Sequence, residues 1–381
     1  MNFDLTEEQQ LLKDSVTRLL ADRYSFENRK NFQAAPEGWS RDMWRQYAEL
    51  GLLGVPFAET DGGFGGGPVE TMLIMEAFGK ALTLEPYLAT VVLAGGLIRR
   101  AGSEEQRAAL VPAIAAGELR LAFAHAERQS GHDLFDVAAT ARKDGAAFVL
   151  NGEKGLVLHG DSADKLIVSA RCAGGRRDLA GIGLFLIDAN ADGVSRRGYR
   201  TQDGMRAAEI TLTNVRVAAQ NVLGDPENAY PVIERVAEEA IAASSAEAVG
   251  AMNDALEMTV DYLKTRKQFG VAIGAFQALQ HRASDMVVAL EQARSMMMLA
   301  TMMAGDDNAA ERRKAISAAK VQVGRSSRFV GQQAIQLHGG IGMTMEYKLG
   351  HSFKRLTMID MMFGDVDYHL ERLSQSDGLI G

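Results

Sequence analysis

The chain has 381 residues, 47% hydrophobic and 24% charged, with a formal net charge of -8. That length exceeds one ordinary core, so two or three domains are expected, and the composition is that of a well-packed globular protein. The acidic balance excludes a nucleic-acid or anionic-membrane surface; the single cysteine, Cys172, excludes an intrachain disulfide and fits a reducing compartment.

The opening residues, "MNFDLTEEQQ", are acidic and polar, the opposite of a secretory leader. Thr6 and Gln9 have the spacing of a capping box, and Leu11, Leu12, Val16, Leu19 and Leu20 then repeat at helical period. Ser103 and Gln106 repeat the device before "RAALVPAIAAG". Between them, "ETDGGFGGGP" lacks the Gly-Lys-Ser/Thr ending of a phosphate loop, which predicts a flexible surface turn.

From about Leu119 the pattern changes. "LRLAFAHAE", "AAFVLNG", "KLIVSAR", "GLFLIDA" and "AEITLTNVRV" are short apolar or alternating runs separated by Gly, Asn and Asp, and they predict a β-domain. After Asn228 helical periodicity returns, in four long segments near 229–266, 275–304, 309–337 and 351–373 that suit an antiparallel bundle. The expected division is therefore 1–118 α-helical, 119–227 β and 228–381 a four-helix bundle. The longest greasy run, "MMMLATMMA", falls far short of the ~20 residues of a membrane helix, so a cytoplasmic globular protein is expected. The seven histidines show no metal-ligand spacing.

Two C-terminal stretches, "DYLKTRKQFGVAIGAFQALQHRASDM" and "QAIQLHGGIGMTMEY", resemble the acyl-CoA dehydrogenase family. "NGEK" and "DGMRAAEITLTNVRV" resemble family segments in the same order, so the resemblance covers essentially the whole chain. It implies a mainly α fold with a central β-domain: N-terminal helices, a middle barrel or sandwich, and a C-terminal four-helix bundle. It also implies FAD as cofactor, α,β-dehydrogenation of an acyl-CoA thioester, and electron-transfer flavoprotein or a similar acceptor. In that chemistry a carboxylate of tuned pKa takes the α-proton while flavin N5 accepts the β-hydride. The protein supplies orientation and donors for the oxygen on which charge develops.

The resemblance places Arg266, Phe269, Gln277, Gln336, Gly339 and Gly340 against the FAD of a neighbouring subunit. A guanidinium there suits a pyrophosphate, and glycines allow close backbone approach. On the β-domain side it implies Phe123, His125, Ala126, Glu127, Val157 and Leu158 at the cofactor, with His132 and Arg206 toward the substrate. This side departs from the family pattern. "AERQSGHD" (126–133) keeps Glu127, Gly131 and Asp133, but Ala126 lacks a hydroxyl, Arg128 replaces proline and His132 replaces serine. In "LVL" (156–158), Leu158 cannot donate a side-chain bond to flavin N5 and Leu156 is a poorer stacking wall than tryptophan, leaving backbone donors and apolar packing.

Counting from Arg355, the commonest family base position falls on Gly364, which keeps only a backbone N–H for the thioester carbonyl. Asp365 is the adjacent alternative, or else a helix cap. Ala240 stands at the base position of another branch, for which Glu238 and Glu239 cannot simply substitute. Glu247 is the leading base: it is the sole ionisable group of "AIAASSAEAVGAM" (240–252), expected to be desolvated. Its small neighbours Ala243, Ser244, Gly250 and Ala251 would leave room for an acyl chain. The alternative is a structural pair with a basic residue of another helix, the small neighbours then serving close packing. The ending "FGDVDYHL" resembles small subunits of pimeloyl-CoA-type and steroid side-chain dehydrogenases. That implies a long, dicarboxylic or ring-bearing acyl group and a homo-oligomer or a heterotetramer with a second family member. Two readings stand open: a dehydrogenase in its own right, or a partner that lends a half-site to FAD held by a sister subunit.

Overall fold

The computed structural model describes residues 4–375. The chain begins with helices α1 (Glu7–Arg23), α2 (Phe26–Ala34), α3 (Arg41–Glu49) and α4 (Pro68–Ala81). A π-helical turn, Leu88–Ala94, leads into α5 (Gly95–Ala101), and α6 (Glu104–Ala115) follows. Both expected capping boxes form. Thr6 Oγ1 accepts from Gln9 N–H at 3.2 Å while Thr6 N–H donates to the Gln9 side chain at 3.0 Å. Ser103 and Gln106 do the same at 3.2 and 2.8 Å.

Eight strands form one sheet: β1 (Leu121–Ala124), β2 (Thr140–Asp144), β3 (Ala147–Leu158), β4 (Lys165–Arg171), β5 (Ile182–Asp188), β6 (Val194–Arg200), β7 (Arg206–Ala218) and β8 (Val222–Leu223). Helix α7 (Tyr230–Thr265) is followed by the hairpin β9 (Lys267–Gln268) and β10 (Val271–Ala272). The chain closes with α8 (Gln277–Ala304), α9 (Ala309–His338), α10 (Lys348–Met361) and α11 (Val366–Gln375). Among the described residues no helix is long and apolar enough to cross a membrane.

The chain divides into two compact units. Of the described residues, the first holds 4–30, 68–83 and 241–375; the second holds 31–67 and 84–240. In the second unit the sheet runs β6-β7-β3-β2-β4-β5-β8, and β1 adds parallel to β4. Leu150, Val157, Leu166, Phe185 and Ile210 belong to its buried core. The β3–β7 ladder is interrupted between Lys154 and Val157, and Leu156 there has φ of 48°. Such a bulge re-aims the strand end locally. Apolar content alone did not mark β2, "TARKD", or β6, "VSRRGYR", because their alternate residues are charged and exposed.

In the first unit the expected fourth bundle segment, 351–373, is broken in two. Phe363 and Gly364 have φ of 59° and 101° between α10 and α11, and two left-handed residues in succession cannot continue a right-handed helix. Phe363 packs against the cluster of Ile241, Ala242, Ala300 and Ile316, which holds this costly backbone in place.

The small residues around Glu247 also find their use here. A Cβ at Gly79 of α4 would lie 1.9 Å from the Glu247 carbonyl oxygen, and one at Gly250 of α7 would lie 1.9 Å from that of Glu76. The two helices therefore cross with backbone against backbone, as small-residue interfaces permit. The hydroxyls of Ser244 and Ser245 donate to Ile241 O within α7, at 3.1 and 2.7 Å. The expected hollow beside Glu247 is, on this side, the seat of α4. Gly79→Ala and Gly250→Ala should each destabilise the protein by about 3 kcal/mol, since the overpacked atom is backbone and cannot swing aside. Urea unfolding at neutral pH measures this.

Candidate active site

In the second unit the two segments expected at a flavin come together: Gly155 N–H donates to Ala126 O at 2.8 Å. Beneath them lies a buried polar network. Lys154 Nζ donates to Glu127 Oε1 at 2.6 Å, to Ser169 Oγ at 3.1 Å and to the His125 carbonyl at 3.2 Å. Ser169 Oγ is 2.9 Å from His125 Nδ1, and the His125 ring stacks on Phe123 at 5.1 Å. Glu127 accepts further bonds from the N–H groups of Ala138 and Ala139, at 2.8 and 3.1 Å. Burial, then the Lys154 ammonium, pushes His125 down to about 3, so its ring is neutral. Burial likewise lowers Lys154 to about 8 against the pull of Glu127. For Glu127 burial acts upward, but Lys154 and the hydrogen bonds win and its pKa is lowered.

The Glu127 side chain thus faces inward as the counter-ion of Lys154. Val157 is core, and Leu158 is half-buried. Arg206 is engaged by Asp161, Nε to Oδ2 at 2.7 Å, and packs on Gly38, where a Cβ would meet its Cδ at 2.6 Å. His132 is half-buried in the loop after β1.

In the first unit, Phe269 and Gly270 form the two-residue turn of the β9–β10 hairpin, with φ of 55° and 84°. Positive φ at both central residues is what such a turn demands, and it leaves the Phe269 ring 90% exposed. Arg266, Gln277, Gln336, Gly339 and Gly340 are exposed as well. Gly339 caps α9 at φ 64°, ψ -141°. Nothing stands within 4 Å of where a side chain would start at Gly339 or Gly340. The preceding His338 is buried and stacked on Tyr262 at 4.5 Å. It bonds Ala334 O at 2.9 Å.

The candidate carboxylates are each occupied. Glu247, 3% exposed, receives two parallel bonds from Arg355 of α10: Nε to Oε1 at 2.6 Å and Nη2 to Oε2 at 2.8 Å. Glu247 thus has the pairing with a basic residue of another helix that stood as the alternative to a free base, and that partner lies 108 positions away in the chain. Asp365 Oδ1 accepts from Tyr368 N–H at 2.9 Å and caps α11. Glu239 is held by Arg99 and Arg100.

Gly364 is closed to any side chain. Its φ is 101°, and a Cβ would lie 2.3 Å from Tyr368 Cδ1 and 2.8 Å from His369 Nε2. It is buried, and its N–H has no hydrogen-bond partner among the described residues.

Family models for the acyl-CoA dehydrogenase N-terminal, middle and C-terminal domains match residues 6–118, 122–215 and 231–376. The probable acyl-CoA dehydrogenase YngJ of Bacillus subtilis (strain 168) is 30% identical over 98% of this chain and 98% of its own length. The chain belongs to the acyl-CoA dehydrogenase family. Among solved structures, a variant of the Tcur3481-Tcur3483 steroid ACAD matches at TM-score 0.87 and 30% identity, over 97% of each chain. The FAD complex of PigA matches at TM-score 0.90 and 25% identity, over 100% of each chain.

Acyl-CoA dehydrogenases are flavoprotein oxidoreductases that act on CH–CH bonds, and their cofactor is FAD. The residues present fit it. The backbone at Gly339 and Gly340 is exposed and uncovered by side chains, so a cofactor can approach it closely, and the exposed Arg266 guanidinium supplies the donor type that phosphate oxygens take.

Some residues of these networks carry little sequence signal: Lys154 lies in the family-like "NGEK", whereas nothing near Arg355 or Lys320 in the chain marks them as buried. Lys320 of α9 is fully buried and donates to Ile359 O. Burial lowers it from 10.5 to about 8, with Asp360 and Asp365 pulling the other way.

An unfolded lysine keeps its proton to about 10.5, the folded one only to about 8, so between these values the unfolded chain holds more protons and stability rises with pH. The native protein should gain about 3 kcal/mol over that window relative to Lys320→Met. Urea unfolding at stepped pH checks it.

Proposed function

We propose that this chain is one subunit of an FAD-dependent acyl-CoA dehydrogenase, working in α,β-dehydrogenation of an acyl-CoA thioester and lending its exposed half-site to a flavin shared with a sister subunit. The observation that carries this reading is Gly364, where a position that would need a carboxylate is closed to every side chain yet offers a buried, unpaired N–H. With Asp365 capping α11 and Glu247 clamped by Arg355, this chain keeps the carbonyl donor and a neighbour supplies the proton acceptor.

When bound, FAD supplies the two-electron acceptor for the β-hydride. With the proton acceptor on the neighbour, the residues of this chain bind and orient. Arg266 offers parallel donors to phosphate oxygens. Gly339 and Gly340 let backbone approach closely. The Gly364 N–H takes the thioester oxygen, on which negative charge grows as the α-proton leaves, and a fixed donor there lowers the barrier. Similarity to the Tcur3481-Tcur3483 steroid ACAD, whose name pairs two proteins, supports a bulky, ring-bearing acyl group and a heteromeric assembly. An electron-transfer flavoprotein suits the family chemistry as acceptor. A single cysteine and the lack of any membrane-spanning helix among the described residues support a cytoplasmic setting.

A second reading keeps the base in this chain. Glu247 is buried and paired with Arg355; it would take the α-proton once the guanidinium turns aside. Glu247→Gln, in the protein co-expressed with its sister subunit, separates the two. We expect a loss of about 3 kcal/mol in stability from the broken pair, with acyl-CoA reduction of the flavin kept within about tenfold. A folded, yellow variant slower by about a thousandfold would move the base to Glu247. On the first reading, the chain purified alone should lack the visible flavin absorption that the co-expressed assembly shows.

A further inference from the structure

The Gly364 N–H needs something to aim it, because a donor on a free corner between two helices would be poorly placed. We propose that His369 and Ser317 are positioning residues that orient this N–H toward the thioester carbonyl; the inference rests on the function proposed above. His369 of α11 is completely buried. Its Nε2 lies 3.0 Å from the Phe363 carbonyl oxygen and its Nδ1 lies 3.1 Å from Ser317 Oγ of α9. A carbonyl only accepts, so Nε2 carries the proton. In the neutral ring Nδ1 is then the acceptor, and the Ser317 hydroxyl donates to it. Ser317 thereby selects the tautomer, and the tautomer allows the bond to Phe363.

That bond reaches Gly364 through the peptide link itself. The Phe363 C=O and the Gly364 N–H share one planar trans unit and point in opposite directions. Pinning the oxygen on His369 therefore fixes where the N–H points. The corner is held by two more contacts: Phe363 packs on the Ile241 cluster, and Asp365 caps α11. A buried backbone N–H is rarely left orphaned, and this one has no partner among the described residues. An incoming acceptor oxygen completes it. Gly364 is required for the same geometry, since a side chain would strike the His369 ring.

The test uses a 2-enoyl-CoA labelled with carbon-13 at the thioester carbonyl, bound to the assembled protein and followed by difference infrared spectroscopy. In the native protein the carbonyl band should move to lower frequency than in free probe. His369→Ala should lose most of that shift and bind the probe about tenfold more weakly. His369→Gln, whose amide N–H can still reach the Phe363 oxygen, should keep most of it, and Ser317→Ala should fall between. A folded His369→Ala that retains the full shift would overturn the positioning role while leaving the proposed function standing. Should His369→Ala not fold, Ser317→Ala decides, and an unchanged band there overturns it. If the native assembly binds no probe at all, the proposed function fails and this inference with it.

Discussion

The buried ion pair between Glu247 and Arg355 is the constraint from which the first unit takes its arrangement. Two charges removed from water are tolerable only if each satisfies the other, and the guanidinium fork does so with two short parallel bonds. The pair ties α7 to α10. On the other side of the same α7 segment, Gly250 and the Glu247 carbonyl receive α4 at backbone contact. Glu247 therefore has little freedom: its side chain is held by one helix and its main chain is pressed by another.

Following α10 from Arg355 leads to the corner at 362–365, on which the proposed function rests. One glycine there accounts for three features: the interrupted helix, the missing carboxylate and the unpaired N–H. Each follows from the backbone at φ 101°, which excludes a Cβ and turns the chain so that Tyr368 and His369 close over it. Under the proposed function the proton acceptor and the carbonyl donor are divided between subunits, and this corner would keep the donor. The second unit contributes in another manner. Its Lys154–Glu127 pair and neutral His125 form a buried polar network beside Ala126 and the end of β3 at 155–158.

Features governed by near neighbours were legible in the sequence. Thr6 with Gln9 and Ser103 with Gln106 read as capping boxes because their partners lie three residues away. The apolar strands β3, β4, β5 and β7 read correctly because burial on a sheet leaves an apolar run. β6 did not, since an exposed edge strand such as "VSRRGYR" needs no apolar side chains to pair. The break at Phe363 was equally hidden, since phenylalanine rarely takes a left-handed backbone, and packing against Ile241 and Ala242 together with the His369 bond to its carbonyl keeps it there.

By itself the sequence determined the family, the order of helical and β segments, the helix caps, and the fact that position 364 carries no carboxylate. Tertiary structure alone decided whether Glu247 stands free or paired, what its small neighbours are for, and where the Gly364 N–H points. Those outcomes depend on Arg355, Gly79, His369 and Ser317. Charge pairing and steric closure act through space at a few ångströms, whatever the separation along the chain, and no local pattern encodes which distant side chain will arrive.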